Sequence, residues 1–321
     1  MDNLIGHDSP AFVPHRLHGA DRSWPETNCY VDLWIELLCS LGYCPEAAFG
    51  FAVSQDYEVD QFTFSKIPTE DLRRLYGLET KELSIYRSLE DHVVSHVGRR
   101  DIVLIEVDAF YLPDTAATTY RSGHTKTTIA IDAIDADART CQYFHNAARG
   151  SLAGDDYLGI FRLKPEFQSQ PDLLAPYVEI VNQADEPPAP PILRQTCFEL
   201  LREHMRRRSA RNPFELWKSD FPSHLDRLLG APQTFHDYAF HFPRLAGANF
   251  ELLGSHLAWL DPGLSETAFV CGRIAQTTKI LQFRLARSAA RRRPDPCTDC
   301  LDQLQGDHDA VIAGLSRFVS S

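Results

Sequence analysis

Nowhere in the 321 residues does an apolar run reach the about 18 positions that crossing a bilayer requires. The first residues, Met1 to Asp8, lack both the basic and the apolar stretch of a secretory signal. A cytoplasmic protein with no membrane partner is expected. There is no internal repeat, and the only biased tract is one short linker, which argues against solenoid and disordered classes. Basic residues are scarce in the first half: residues 1–189 hold 15 Lys and Arg against 30 Asp and Glu, whereas residues 190–321 hold 17 against 14. An acidic half of that kind argues against nucleic acid as a partner, because binding phosphate needs a local excess of positive charge. The eight cysteines are scattered through a chain with no export signal. They are expected to be free thiols in a reducing compartment, so a nucleophile among them has to be found by context.

A composition of 44% hydrophobic and 24% charged residues suits a packed globular protein long enough for two domains. The stretch Ala184 to Pro191, rich in proline and acid, reads as a stiff connector. It separates residues 1–183 from residues 192–321. In the first segment, Tyr30, Leu33, Trp34, Leu37, Leu38 and Leu41 recur at helical spacing. Thr27 or Asn28 is placed to cap that helix, and Gly42 to stop it. Arg87 to Val97 reads as a second helix. Asp101 to Asp108, Thr125 to Ile134 and Arg139 to Phe144 read as strands, the last two joined as a hairpin through Asp135 to Ala138. This predicts an α+β domain with an antiparallel sheet. After the linker, Ile192–Arg208, Phe214–Leu229, Phe235–Leu260 and Ser265–Ala290 all have helical spacing and predict a bundle.

Cys29 falls in the first turn of the Tyr30–Leu41 helix, where unpaired N–H groups and the positive end of the helix dipole favour a thiolate. The plainer alternative is a small apolar residue packed beneath the sheet. His124 opens the strand that begins at Thr125. A cysteine at a helix start followed about a hundred residues later by a histidine at a strand start has the order of a papain-like constellation, with Cys29 as nucleophile and His124 as base. Asp132 lies too far along the strand to orient His124. The hairpin register leads instead to the next strand, with Asn146 the first candidate orienter and His145 the second; the alternative for Asn146 is a turn residue.

The segments Asn28-Cys29-Tyr30, Ile105 to Asp114, Gly123-His124-Thr125-Lys126 and Tyr143-Phe144-His145-Asn146 resemble an uncharacterised bacterial family, domain of unknown function 1839, over most of the chain. That family is similar in layout to the N-terminal domain of the butirosin-biosynthesis acyltransferase and to papain-like processing peptidases, a sparser likeness over about residues 25–165. The resemblance implies a papain-like fold in which Cys29 and His124 match the nucleophile and base. The wider group usually has an Asp after the second strand where this chain reads His145-Asn146. The resemblance also implies a substrate class, an acyl or aminoacyl group delivered as a carrier-protein thioester and passed to a small amine acceptor. No cofactor is then needed beyond the phosphopantetheine that arrives on the carrier.

In that reading the Cys29 N–H and a side chain near Ser23 to Asn28, which the sequence does not single out, would hold the oxyanion, and Asn28 is a candidate substrate-binding residue. Asp108 and Asp114 could hold a cationic acceptor, against the alternative that they only form turns. The basic run Arg206, Arg207 and Arg208 could dock an acidic carrier, against the alternative of a solvated helix end. No metal is expected: Cys297 and Cys300 form a single CxxC short of ligands, and His236 and His241 are not spaced as a ligand pair. Three functions remain open from sequence: a cysteine acyltransferase, a cysteine hydrolase or peptidase with the same dyad, and a non-catalytic binding protein.

Overall fold

The computed structural model describes residues 12–169 and 173–320. Residues 1–11, on which the absence of an export signal was read, lie outside the described residues. In chain order the elements begin with α1 (Cys29–Ser40), β1 (Tyr57–Glu58), β2 (Gln61–Phe62), α2 (Thr69–Tyr76), β3 (Leu78–Glu82), α3 (Leu89–Val97), β4 (Ile102–Asp108), β5 (Lys126–Asp135), β6 (Thr140–His145), β7 (Ala148–Ala153), α4 (Gly154–Ile160), α5 (Pro165–Gln168) and β8 (Val178–Gln183). The helices α6 (Pro190–Arg207), α7 (Pro213–Gly230), α8 (Phe235–Ala239), α9 (Leu245–Leu260), α10 (Ser265–Arg291) and α11 (Thr298–Ser320) follow. No helix among the described residues is long and apolar enough to cross a membrane.

The chain forms two compact units, and both are discontinuous in sequence. One gathers the segment up to Arg16 with Asn28–Pro45 and Leu72–Pro187; the other gathers Leu17–Thr27 and Glu46–Asp71 with everything from Pro188 onward. The predicted linker does not stay free along its length. Ala184 and Asp185 donate their N–H groups to the Gly77 carbonyl, and α6 already begins at Pro190, a first-turn position where the missing proline N–H costs nothing.

The first unit is α+β. Its six-stranded sheet runs β3-β8-β4-β5-β6-β7, antiparallel at every pairing. Three strands match the sequence expectation within about two residues. β3, β7 and β8 complete the sheet, and β3 (Leu-Glu-Thr-Lys-Glu) has the charged character that protects an edge. One sheet face packs Val103, Ile105, Ile129, Ile131 and Tyr143 against Leu89, Val93 and Val97 of α3. On the other lies α1, whose Leu33, Trp34, Leu37 and Leu38 are fully buried, each worth roughly 1.5–3 kcal/mol or more of apolar burial.

The second unit is helical apart from the small β1–β2 hairpin. The four predicted helical stretches are all present, but the third is broken into α8, a π turn over Phe240–Arg244, and α9. The cause is Pro243, which has no N–H to give and whose ring collides with the carbonyl four residues back. The final helix α11 was not expected. Cys297 and Cys300 sit at its start, both buried, beside Arg284, which pairs with Asp295 and Asp299 and donates to Cys300 Sγ at 3.4 Å.

Candidate active site on the sheet

Asn28 has extended backbone angles, and its side-chain oxygen accepts from the N–H groups of Tyr30 and Val31 at 3.0 and 2.9 Å. The cap engages the Asn28 side-chain oxygen; an oxyanion would call instead on the Nδ2 hydrogens, which the cap does not use. The cap places Cys29 at the first helical position. Among the described residues the Cys29 N–H has no acceptor, and the half-buried thiol lies 3.8 Å from Thr128 Oγ1 on β5.

His124 lies two residues before β5 begins. Its Nδ1 is 2.5 Å from Asp108 Oδ2, and its ring stacks on Phe110 with centroids 4.7 Å apart. Asp108 ends β4 opposite Lys126, and its second oxygen accepts from the N–H groups of Phe110 and Thr125. The partner that holds His124 is thus Asp108, not Asn146 or His145, and both Asp108 oxygens accept hydrogen bonds. Nδ1 donates to this carboxylate, which leaves Nε2 as the basic nitrogen.

Cys29 and His124 share no hydrogen bond. Glu106 pairs with Thr128 and Asp108 with Lys126, so these four side chains share the sheet face that Cys29 touches. Four residues of extended chain between His124 and Thr128 correspond to about 13 Å. The intervening surface carries the Lys126–Glu106 ion pair, 2.6 Å. A cleft of about 430 Å³ opens where β4 ends and β5 begins, lined by His124, Asp108, Glu106, Lys126, Tyr111, Arg162 and Phe167 among others; Cys29 is not one of its lining residues. The His124 side chain is 73% exposed. Deeper under the start of α1, Glu179 accepts from the hydroxyls of Tyr30 and Tyr177 at 2.9 and 2.5 Å. Burial, reinforced by that carboxylate, keeps both phenols above their usual range, and they remain donors.

His145 faces the other way. Thr127 and Thr128 are consecutive on β5 and point to opposite faces; Thr128 meets Cys29, whereas Thr127 Oγ1 is 2.8 Å from His145 Nε2. His145 Nδ1 is 2.5 Å from Asp114 Oδ2, and Tyr143 donates to Asp114 Oδ1 at 2.5 Å. Asp114 thus has both oxygens committed inside the domain and does not reach an acceptor in the cleft. Burial pushes its carboxyl up, but His145 and Tyr143 outweigh it and leave it below the usual carboxylate range. Asn146 has φ of +47° in the turn between β6 and β7; the strand ends before it can come level with His124. Asp132, set aside on distance, sits at a β-bulge and pairs with Arg149.

Arg206 and Arg207 are exposed at the end of α6, with Arg207 3.6 Å from Glu203; Arg208 is half-buried and donates to the Ser209 carbonyl. Among the described residues no group of three or more His, Cys, Asp or Glu side chains is placed to hold a metal ion. Sequence reasoning missed Thr128, Glu179 and the orienting role of Asp108. The last was the most accessible, since a strand-end Asp was visible, but a 17-residue connection between β4 and β5 gives no turn geometry from which to read the register.

The fold and site define an antiparallel α+β domain with a cysteine at a helix start and an Asp-held histidine at a strand start, followed by a helical domain. The chain belongs to the DUF1839 family: the DUF1839 N-terminal domain matches residues 13–183 and the DUF1839 C-terminal domain matches residues 192–317. No curated protein matches it.

Proposed function

We propose that this chain is a papain-like, cysteine-dependent acyltransferase. It takes an acyl or aminoacyl group from a carrier-protein thioester onto Cys29 and passes it to a small amine. The observation that carries the reading is the first turn of α1. On the sheet face that also bears Asp108, the residue holding His124, it sets a half-buried thiol and a backbone N–H that has no acceptor among the described residues. A thiolate at a helix N-terminus is favoured by the dipole, and the free N–H suits a developing oxyanion.

In the first step the Cys29 thiolate attacks the thioester carbon. The carrier's C–S bond breaks as the Cys29 C–S bond forms, and the departing carrier thiolate takes the proton held on His124 Nε2. In the second step the amine attacks the acyl-enzyme, His124 accepts the amine proton, and Cys29 leaves as thiolate. Substrate binding has to bring His124 Nε2 to the reacting sulfur, since in the structure the thiol's polar neighbour is Thr128. Arg206, Arg207 and Arg208 are the proposed dock for the acidic carrier.

The test is intact-mass analysis after incubation with a panel of aminoacylated carrier proteins. Wild type gains one acyl mass, Cys29→Ala gains none, and Arg206→Glu with Arg207→Glu raises the carrier concentration needed without changing the final mass. Wild-type protein that stays unmodified, or Cys29→Ala that is modified equally, overturns the proposal. An acyl-enzyme that water resolves as readily in the absence of amine as in its presence makes the chain a hydrolase.

A further inference from the structure

The helical unit contains a cleft of its own, about 400 Å³, with Leu228, His224, Tyr238 and Phe242 in its walls. That volume is within the range of small-molecule sites. The π turn shapes it: widened at Pro243, it sets Phe242 over Tyr238 with ring centroids 4.2 Å apart and nearly parallel.

A directed hydrogen-bond chain ends in the cleft. Trp217 Nε1–H donates to the Tyr238 oxygen at 3.0 Å, and the Tyr238 hydroxyl is 3.2 Å from His224 Nδ1. The indole can only donate, and among the described residues His224 Nδ1 is the one acceptor within reach of the Tyr238 O–H, so the hydroxyl gives its proton to Nδ1 and the neutral ring carries its own on Nε2. Burial, with Arg227 adding to it, holds the His224 pKa below its usual value and keeps the ring neutral. His224 is only 3% exposed, yet its Nε2 has no partner among the described residues and is not sealed from solvent. An almost fully buried imidazole therefore presents one N–H donor to the cleft.

At the rim stand Arg227, Asp60 and Asp237, all exposed. Among the described residues none of the three forms an ion pair or a side-chain hydrogen bond. Opposite charges thus face one concave, aromatic-walled space without neutralising each other.

We propose that this cleft binds a small zwitterion with an aromatic body, the chemistry of an aromatic α-amino acid. Arg227 and His224 Nε2–H take the carboxylate, Asp60 and Asp237 take the ammonium, and the ring lies against Tyr238 and Phe242. The site is independent of Cys29 and does not rest on the acyltransferase reading.

Isothermal titration of the full-length chain with L-phenylalanine, phenethylamine, 3-phenylpropionate and glycine tests it. L-Phenylalanine binds, and each of the others, lacking one recognition element, binds at least about tenfold more weakly. Arg227→Gln weakens L-phenylalanine and 3-phenylpropionate but not phenethylamine; Asp60→Asn with Asp237→Asn does the reverse. Cys29→Ala binds as wild type. All three rim residues are exposed, and unchanged thermal melts show that the variants fold. No heat with L-phenylalanine at millimolar concentration, or affinity undiminished in both sets of charge variants, overturns the proposal.

Discussion

Cys29 and Cys39 occupy the two ends of the same helix, the first at its opening position and the second in its last turn. Cys39 is exposed and Cys29 half-buried, so access alone would make Cys39 the faster to alkylate. The helix dipole acts the other way, favouring a thiolate at the N-terminus and opposing one at the C-terminus. We expect iodoacetamide at neutral pH to label Cys29 before Cys39, with Cys141, Cys197, Cys271, Cys297 and Cys300 protected by burial; peptide mass mapping over time checks the order. His124 has a similar contrast between candidates. Because Asp108 rather than Asn146 holds its Nδ1, Asp108→Asn should slow acylation of Cys29 by about 10²-fold. Asn146→Gly, which keeps the left-handed turn, should leave the rate unchanged. Equal rates for the two variants would remove Asp108 from the site. Asn146 looked plausible in the sequence because a hairpin register can be counted from its turn, and the count fails because β6 turns back into β7 after His145, well short of the level of His124.

Among the elements, helices with a continuous apolar stripe were legible: α1, α3, α6, α7 and α10 lie within a few residues of their expected ends. Strands were legible only where a buried run announced them. β3 and β7 at the sheet's edges lack such a run, because an edge strand is held by one neighbour and bears charge or glycine. Helix pairing can be tested at Gly247 in α9. A Cβ there would come within 2.1 Å of Thr278 Oγ1 on α10 and 2.3 Å of Trp24 Nε1. The Trp24 indole already donates to the Ala275 carbonyl at 2.9 Å and to Thr278 Oγ1 at 3.2 Å, so it cannot yield without losing these bonds. Gly247→Ala should cost about 1–3 kcal/mol by overpacking, read as a lower urea midpoint with an unchanged m value.

Across the whole molecule, acid sensitivity follows from histidines the folded chain keeps neutral. His256 and His308 are buried, and burial pushes both down to about 4. Between that value and the usual 6.5 the unfolded chain binds more protons than the folded one, so stability is full above about pH 6.5 and falls as pH drops toward 4. Each group costs about 2 kcal/mol at pH 5 relative to pH 7. Thermal melts should therefore fall well before the carboxylate range. His308→Leu should flatten that slope at little cost at neutral pH, because His308 Nδ1 has no partner among the described residues; an unchanged slope would refute the assignment. The sequence by itself determined the α+β and helical halves, the Asn28 cap that puts Cys29 at a helix start, and the acidic character of the first half. These are properties of neighbours along the chain, set by periodicity, capping and composition. Only the tertiary structure decided that Asp108 holds His124, that His145 and Asp114 turn to the opposite sheet face, and that residues 17–27 and 46–71 join the helical unit. Each of those depends on strand register or on which surfaces bury one another, and both are set by contacts between residues distant in sequence.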